Sequence, residues 1–227
     1  MAKLSIIVPA LNEERTIETV LSRLVNLPLD KEIIVVDDGS GDLTGAKVKN
    51  FDSAGVRLLS HEKNLGKGAA LRTGLNQAQG DYIIFCDADL EYDVAQIPIL
   101  FEHIIQNGHL VVYGSRFIDY QPAKNRLHYF GNRFLTWLTN FLFEARLTDM
   151  ETAFKMFRAD VLRSLKLSAN HFEIEPEITA QLLKQGVVIA ELPVSYDPRV
   201  KKEGKKIKYR DGWIALKILL KEKFKRG

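Results

Sequence analysis

Five short runs of apolar, mostly β-branched residues recur along the first half of the chain, without the alternation of a half-exposed strand. They lie at Leu4–Val8, Ile33–Val36, Val56–Ser60, Tyr82–Cys86 and Leu110–Tyr113. Unbroken runs of this length are typical of strands that are buried on both faces of a sheet. Apolar residues at helical spacing separate the strands, from Ile17 to Leu24 after a predicted cap at Asn12, and from Ala70 to Ala78. The alternation predicts an α/β fold with a largely parallel sheet flanked by helices.

The pattern changes after residue 115. The predicted elements there are a helix within Asn125–Phe143, a strand at Ala153–Phe157, a helix at Glu175–Gln185, strands at Val187–Leu192 and Val194–Tyr196, and a helix at Trp213–Phe224. In the first of these helices, Trp137 shares an apolar face with Phe134 and Phe141, which predicts a place in the core rather than a sugar-stacking role. The 227 residues are expected to form one domain, with parts at 1–115, 116–210 and 211–227.

Polar residues that can bind ligands follow four of the predicted strands directly. They are Asn12-Glu13, Asp37–Ser40, Asn64–Gly68 and Asp87-Ala88-Asp89. Ligands of parallel α/β sheets bind beyond the carboxyl ends of the strands, where these residues fall. Two carboxylates at alternate positions can converge on a divalent cation that takes a diphosphate as co-ligand. The pattern favours diphosphate chemistry, although Asp87–Asp89 alone is also compatible with a polar turn and Asp37–Ser40 with a helix cap.

Charge is distributed unevenly along the chain. Residues 201–227 contain eleven Lys or Arg and three acids, a local charge of +8, so the remaining 200 residues carry −5 of the net +3. A basic tail on a mildly acidic body favours an anionic surface or a phosphate partner over nucleic acid. The chain has no signal-peptide pattern and no apolar run long enough to cross a bilayer, and its lone Cys86 suits a reducing compartment. We therefore expect a cytoplasmic protein.

Taken in order, the polar segments resemble the inverting family 2 glycosyltransferases with the GT-A, Rossmann-like fold. The resemblance is carried by Ile7–Glu13, Val35–Ser40, Asn64–Gly68 and Asp87–Leu90, and it continues through Gly114–Phe117, Leu147–Thr152, Phe154–Arg158, Phe172–Glu177 and Val194–Arg199. The later segments are similar to the branch that glycosylates polyprenyl phosphates, such as the dolichyl-phosphate mannose and glucose synthases. The resemblance implies a nucleotide-sugar-binding half at 1–115 and an acceptor half at 116–210.

The resemblance also implies roles for individual residues. Those expected to hold the base and ribose of the donor are Pro9, Leu11, Glu13, Val35 and Asp37. Asp87, Ala88 and Asp89 match the motif for the metal, Mg²⁺ or Mn²⁺, and the diphosphate, with Asp89 as the direct ligand and Glu91 in support. Arg116 matches an arginine near the transferred sugar and the acceptor phosphate, and Arg199 and Lys205 match basic residues that close over the diphosphate. Phe130 stands where some members have an arginine, so Arg126 or Arg133 is expected to contact the acceptor phosphate instead.

Two acceptor classes remain open. A phosphate acceptor is already an anion at neutral pH and needs no strong general base, whereas a hydroxyl acceptor does. Asp149 and Glu151 are the candidate bases, although Asp149 also suits a structural cap. The expected reaction is a metal-dependent, inverting transfer of a hexose from a donor of the UDP-glucose or GDP-mannose type to a polyprenyl phosphate. The alternatives are a saccharide hydroxyl acceptor, a nucleotidyltransferase and a non-catalytic binding protein.

The basic C-terminal segment offers a way to reach a lipid acceptor. Asp211 is predicted to cap a helix in which Trp213, Leu216, Leu220 and Phe224 recur at spacings of three and four, with lysines on the flanks. Such a helix can lie in the headgroup layer of an anionic membrane. The alternative is that this stripe packs on the body of the domain. We expect a peripheral protein on the inner face of the membrane, and the oligomeric state stays open.

Overall fold

The computed structural model describes residues 2–119, 126–198 and 209–225. Within these ranges, seven strands form one mixed sheet in the order β3-β2-β1-β4-β6-β5-β7. The strands are β1 (Leu4–Ala10), β2 (Lys31–Asp37), β3 (Val56–Ser60), β4 (Tyr82–Phe85), β5 (Val111–Ser115), β6 (Lys155–Arg158) and β7 (Ile189–Pro193). Neighbouring strands are parallel except where β6 pairs with β4 and β5. The predicted α/β class with a largely parallel sheet is confirmed.

Eight α-helices connect or flank these strands in the described part of the chain. They are α1 (Ile17–Val25), α2 (Thr44–Lys49), α3 (Lys67–Leu75), α4 (Ile97–Gln106), α5 (Arg126–Phe143), α6 (Ala159–Ser164), α7 (Ile174–Lys184) and α8 (Tyr209–Phe224). None of the described helices is both long enough and apolar enough to span a membrane. Helices α4 and α6 were not predicted from the sequence pattern, and α2 was anticipated only as a helix after the candidate cap at Asp37–Ser40.

Two predicted helix caps are wrong. Thr16, not Asn12, is the N-cap residue of α1. Asn12 has a positive φ of 53°, and its side-chain oxygen accepts a hydrogen bond from the Gly41 amide at 2.9 Å. Asn12 therefore joins the loops after β1 and β2 instead of starting a helix. Helix α8 begins at Tyr209, so Asp211 lies in its first turn rather than before it.

The apolar core has one layer on each face of the sheet. Because successive strand residues point to opposite faces, Ile6 and Val8 of β1 belong to the cluster that contains α1 and α4, whereas Ile7 belongs to the cluster that contains α3, α6 and α7. A third cluster joins α5, α7 and α8 through residues such as Leu135, Ala180 and Leu219. The fold is thus a sheet between two helical layers, with α5 and α8 added on the outside of α7.

The prediction that Trp137 belongs to the core is wrong. Trp137 is 59% exposed, and Phe134 and Phe141 on the same stripe are 53% and 71% exposed. The inward side of α5 is instead formed by the aliphatic residues Leu135, Leu138 and Leu142. This helix has apolar residues around most of its circumference, so periodicity alone did not decide which stripe would be buried.

The direction of β6 decides which residues reach the functional edge of the sheet. Because β6 is antiparallel to its neighbours, its first residue, Lys155, lies opposite Tyr113 near the carboxyl end of β5. The residues that precede β6 therefore lie at the same edge as those that follow β1, β2, β4 and β5. From β1 the chain adds β2 and β3 on one side, and it then returns to add β4 on the other side of β1. In open α/β sheets the binding crevice lies at such a point, here between β1 and β4.

Candidate active site

The loops after β1 and β2 form one wall of the site. The Asn12 amide donates to Ser40 Oγ at 2.9 Å, and the amide of the buried Glu13 donates to Thr44 Oγ1 at 2.8 Å. Asp37 is also buried, and its Oδ1 accepts a hydrogen bond from the Ser40 amide at 3.0 Å. The structure therefore brings Glu13 and Asp37, two of the residues implied in donor binding, to one place.

Two other residues implied in donor binding do not present side chains to the crevice. Val35 is fully buried in the apolar core, and Ala88 is 2% exposed within the same cluster. Pro9 and Leu11 are partly exposed at the end of β1 and beside it. A ligand in the crevice would meet Pro9 and Leu11 before it met either of the buried side chains.

Asp38 holds the glycine-containing loop that precedes α3. Its Oδ1 and Oδ2 accept hydrogen bonds from the amides of Leu65, at 2.9 Å, and Gly66, at 2.8 Å. Nδ1 of His61 lies 2.7 Å from the same carboxylate. Gly66 has a φ of +101° and packs against His171, so a side chain there would be strained and would clash. The anion that the Leu65 and Gly66 amides bind is therefore a side chain of the protein itself, the carboxylate of Asp38.

Three ion pairs link the carboxylate motif to side chains in the interior: Asp87 to Lys67, Lys67 to Glu175, and Glu175 to Lys155. Lys67 Nζ lies 2.7 and 3.0 Å from the two Asp87 oxygens and 3.2 Å from Glu175 Oε1. Lys155, which is 0% exposed, donates to Glu175 Oε2 at 2.6 Å. Burial would lower the pKa of Lys67, but Asp87 and Glu175 outweigh it and raise that pKa. Burial would raise the pKa of Glu175, but the two lysines hold it below its ordinary value.

The carboxylate motif after β4 fits a divalent cation that is shared with a diphosphate. Asp89 is partly exposed and accepts a hydrogen bond from the Glu91 amide at 3.1 Å. No group of three or more His, Cys, Asp or Glu side chains in the described ranges is arranged to hold a metal by itself. Mg²⁺, however, is usually bound by one or two carboxylates together with substrate phosphates. Lys67 already contacts both oxygens of Asp87, so a cation would compete with an ammonium group for that residue.

Glu91 connects the carboxylate motif to the residues after β7. Its Oε2 accepts a hydrogen bond from the Tyr196 hydroxyl at 2.6 Å, and its carbonyl accepts one from the Asp197 amide at 2.8 Å. The Tyr196 ring lies under the guanidinium of Arg116, 5.1 Å from Cζ to the ring centroid. Tyr196 therefore contacts both the motif after β4 and the arginine after β5.

Arg116 is held in a buried ion pair. Its Nε and one terminal nitrogen donate to the two oxygens of Asp149, each at 2.7 Å, and its backbone amide donates to the same carboxylate at 3.0 Å. The side chains are 11% and 0% exposed. Burial would lower the pKa of Arg116, but Asp149 raises it well above its ordinary value. Glu191 fixes the partner by accepting hydrogen bonds from the Thr148 and Asp149 amides at 2.7 and 3.0 Å.

Glu151 differs from Asp149 in its surroundings. Its Oε1 is enclosed and has no hydrogen-bond partner among the described residues. Burial raises the pKa of its carboxyl to about 7; Glu175 and Asp149 add to the rise, whereas Lys155 and Arg116 oppose it. Asp149 has both oxygens on Arg116, so in this arrangement Glu151 is the better placed of the two to exchange a proton.

The remaining predicted site residues are arginines and a lysine. Arg133 is exposed on α5, and its NH1 donates to the Thr148 carbonyl at 3.3 Å, one residue from Asp149. Arg126 is the first residue of α5, but its side chain is outside the described part of the structure. Arg199 and Lys205 also lie outside the described residues.

Comparison with known proteins places the chain in a family. Residues 5–166 match the family described as Glycosyl transferase family 2. This chain belongs to that family. The predictions of family 2 membership and of a hexosyltransferase are confirmed. Among solved structures, this glycosyltransferase is similar to glucosyl-3-phosphoglycerate synthase from Mycobacterium tuberculosis, with a TM-score of 0.75 and 22% identity over 100% of this chain and 80% of the other. The predicted GT-A fold is confirmed.

Three relatives show how far the similarity extends. An uncharacterized protein of Methanocaldococcus jannaschii is 32% identical over 84% of this glycosyltransferase and 86% of its own length. The dodecaprenyl-phosphate galacturonate synthase of Rhizobium johnstonii is 27% identical over 87% of this chain and 60% of its own length. The dolichol-phosphate mannosyltransferase of Pyrococcus furiosus is 36% identical over 54% of this chain and 36% of its own length. The chain thus spans less than two thirds of the two relatives that are named for an activity.

Four charged residues of the glycosyltransferase site, three of them buried and Lys67 with a side chain 12% exposed, were not assigned individual roles from the sequence. They are Lys67, Lys155, Glu175 and Asp38, each of which pairs with residues far away in the sequence. One signal was available for Lys155, a single lysine between Phe154 and Met156 in an apolar run. A charge in a buried strand requires a buried partner.

We expect the Arg116–Asp149 pair to contribute strongly to stability, because Asp149→Asn leaves a buried guanidinium without its counter-charge. Breaking a buried pair in this way costs about 3–5 kcal/mol of unfolding free energy. The matched control is Asp160→Asn, whose carboxylate binds Arg158 at 2.6 and 2.8 Å but with side chains 47% and 64% exposed. That surface pair should contribute about 1 kcal/mol or less to the free energy of unfolding. Urea unfolding of both variants measures the difference, and equal losses would contradict the buried role of Asp149.

We also expect Glu151 to make stability depend on pH. Its pKa is raised from 4.5 to about 7 on folding, so the folded state favours the protonated carboxyl. The contribution of this group to the free energy of unfolding is therefore fully present below pH 4.5 and is lost as the pH rises through about 7. Glu151→Gln should therefore gain stability relative to the wild type between about pH 5 and 8. The control is Glu62→Gln at an exposed position. Thermal unfolding of both proteins across this pH range tests the expectation. A difference in stability between Glu151→Gln and the wild type that stays constant with pH would refute it.

Proposed function

We propose that this glycosyltransferase moves a hexose, with inversion and in a metal-dependent manner, from a nucleoside diphosphate sugar to a polyprenyl phosphate. The observation that carries the proposal is the position of Tyr196 between Glu91 and Arg116. Through this contact, carboxylates suited to a cation and a diphosphate lie beside a buried arginine suited to an anionic acceptor. The donor is proposed to be of the UDP-glucose or GDP-mannose type.

The donor is proposed to lie in the crevice between β1 and β4. Pro9, Leu11, Glu13 and Asp37 would hold the nucleoside, with Val35 and Ala88 shaping the wall from within the core. Asp89, supported by Asp87 and Glu91, would hold Mg²⁺ or Mn²⁺ together with the diphosphate. A bound cation of this kind offsets the negative charge that develops on the departing diphosphate. Arg199 and Lys205 are proposed to add positive charge at the same place.

The acceptor is proposed to bind on the Arg116 side. A phosphate monoester is anionic at neutral pH, so its oxygen can attack the sugar without a strong general base. Asp149 fixes the guanidinium plane of Arg116, and the raised pKa of Arg116 keeps it charged at every working pH. Arg133, beside Thr148, and Arg126 are proposed to assist. The two relatives with named activities differ in sugar but both names contain a polyprenyl phosphate, which supports the acceptor class more strongly than the sugar.

A second candidate function has one observation in its favour. The enclosed Oε1 of Glu151 and its raised pKa suit a general base, which a hydroxyl acceptor such as a saccharide would require. The two readings differ in what the loss of this carboxylate does to the transfer rate.

The location follows from the proposed acceptor. A polyprenyl phosphate is anchored in a bilayer, so we propose that the protein works at the cytoplasmic membrane surface as a peripheral protein. The local charge of +8 in residues 201–227 supports attraction to anionic lipid.

We expect Asp89 to matter more than Asp87 for metal-dependent donor binding, because a cation must compete with Lys67 for Asp87. Thermal shift of the wild type with UDP or GDP should increase when Mg²⁺ or Mn²⁺ is added. Asp89→Asn should lose this increase and reduce transfer at least about a hundredfold, whereas Asp87→Asn should keep part of it. Asp52→Asn, at an exposed position beside β3, is the control. Transfer that continues in excess chelator would contradict metal dependence.

Assay of hexose transfer with the wild type and Glu151→Gln distinguishes the two acceptor classes. We expect UDP-glucose or GDP-mannose to glycosylate a polyprenyl phosphate in detergent, with an inverted anomeric configuration by NMR. Because a phosphate needs no strong base, Glu151→Gln should change this rate less than about tenfold. A loss of about a hundredfold or more, or transfer only to saccharide hydroxyl groups, would favour the second candidate function.

A further inference from the structure

Helix α5 has a stripe of large aromatic residues on its solvent side. Phe130, Phe134, Trp137 and Phe141 are all exposed. At 3.6 residues per turn, these four positions fall within an arc of about 60°. Successive rings stack along the helix, with centroids 6.0 Å apart for Phe134 and Trp137 and 5.8 Å apart for Trp137 and Phe141. Exposed patches of this kind are uncommon on soluble surfaces unless they bind something.

Helix α8 has a similar stripe. Trp213, Leu220 and Phe224 are exposed, whereas Ala215 and Leu219 on the opposite side are buried against α5 and α7. The predicted alternative, in which Trp213, Leu216 and Leu220 pack on the body of the domain, is therefore wrong for Trp213 and Leu220, whereas Leu216 is partly buried. Lys217 lies within the exposed stripe, and Lys221 and Lys223 lie on its two sides.

The two stripes belong to one outer layer of the molecule. Helices α5 and α8 contact each other and both contact α7, whose first nine residues are buried. The α5 stripe also approaches the candidate active site. Cζ of Arg116 lies 5.4 Å from the centroid of the Phe117 ring. The ring centroids of Phe117 and Tyr129 are 5.3 Å apart, and those of Tyr129 and Phe130 are 5.7 Å apart.

We propose that these exposed residues of α5 and α8 form a docking surface for a lipid bilayer that contains anionic headgroups. We call it the aromatic face; it consists of Phe130, Phe134, Trp137, Phe141, Trp213, Leu220 and Phe224. Aromatic rings flanked by lysines are the composition of helices that lie in the interfacial layer, where the ammonium groups reach the phosphates. This inference rests on the membrane-surface part of the proposed function and extends it from the C-terminal helix to α5.

Charge decides between a bilayer and a second copy of the chain. In the parts of α5 and α8 whose side chains are described, the exposed charged residues are Arg133, Lys217, Lys221 and Lys223, and Lys225 follows directly. The acid in this part of α8, Glu222, is 3% exposed, and the exposed Glu144, which follows α5 directly, is outnumbered by these five basic residues. A second copy placed on this face would bring positive charge against positive charge, whereas anionic lipid would neutralise it.

Vesicle co-sedimentation of the full chain tests the proposal. The wild type should bind vesicles that contain phosphatidylglycerol, bind phosphatidylcholine vesicles weakly, and release as salt is added. The double variant Trp137→Gln/Phe141→Gln is altered only at exposed positions. Its affinity for these vesicles should be at least about tenfold lower than that of the wild type. The control is Ile99→Gln/Val188→Gln, which removes two exposed apolar side chains elsewhere and should bind like the wild type.

Three outcomes would overturn the proposal. The first is that the wild type does not bind anionic vesicles at low salt. The second is that the Trp137/Phe141 variant binds them as well as the wild type does. The third is that size-exclusion chromatography shows self-association of the wild type but not of the variant, which would make the aromatic face a protein interface.

Activity in detergent separates this inference from the proposed function. Transfer to a polyprenyl phosphate in micelles should be the same for the wild type and the Trp137/Phe141 variant, because no bilayer is present. A selective loss in the variant would assign the face to the isoprenoid chain and overturn bilayer docking. If the wild type shows no transfer in micelles but binds anionic vesicles through the aromatic face, the proposed function fails and the docking surface stands.

Discussion

Glu175 carries its negative charge inside the protein between two lysines, and much of the site depends on this arrangement. It lies in the first turn of α7, and its partners are Lys155 at the start of β6 and Lys67 at the start of α3. Each of these charges would be costly to bury alone, so the three stay ionised only as a set. Lys67 also contacts Asp87, and the set therefore fixes the first carboxylate after β4 as well. The position of the crevice is tied to the packing of α3, α7 and β6.

The antiparallel strand β6 makes this set possible. A parallel strand in the same place would carry its first residue to the far edge of the sheet, away from Glu175 and Asp87. Because β6 runs the other way, Asp149, Glu151 and Lys155 arrive beside the residues that follow β4 and β5. The same short segment thus supplies the counter-charge of Arg116, the carboxyl with a raised pKa and a buried ammonium. Three electrostatic environments arise within seven residues because each side chain meets a different element.

The sequence predicted the parts of this structure that depend on local pattern. Strands β1 to β5 were placed within two residues at each end. For β1, β2, β4 and β5 the reason is that strands buried on both faces are apolar runs, whereas β3 is a partly exposed edge strand. The polar segments were assigned to one edge because parallel strands end there. Local pattern did not give the direction of β6 or the pairing of Lys67 with Glu175, which lie 108 residues apart. Nor did it give the role of Asp38, since two of its partners are backbone amides, which any sequence has, and the third, His61, lies 23 residues away.

The surface of α5 shows a second reason why local pattern was insufficient. Both of its stripes are apolar, and a helix with two apolar stripes satisfies the same periodicity in either orientation. Burial was decided by fit: the aliphatic residues interdigitate with α7 and α8, and the larger rings remain outside. If the outer stripe lies on a bilayer as proposed, the start of α5 lies in the headgroup layer. Arg116 is then separated from that layer by Phe117 and Tyr129, two aromatic rings in contact. An acceptor phosphate could reach the guanidinium while its isoprenoid chain stayed in the membrane, so an enzyme of this arrangement would not have to extract its lipid.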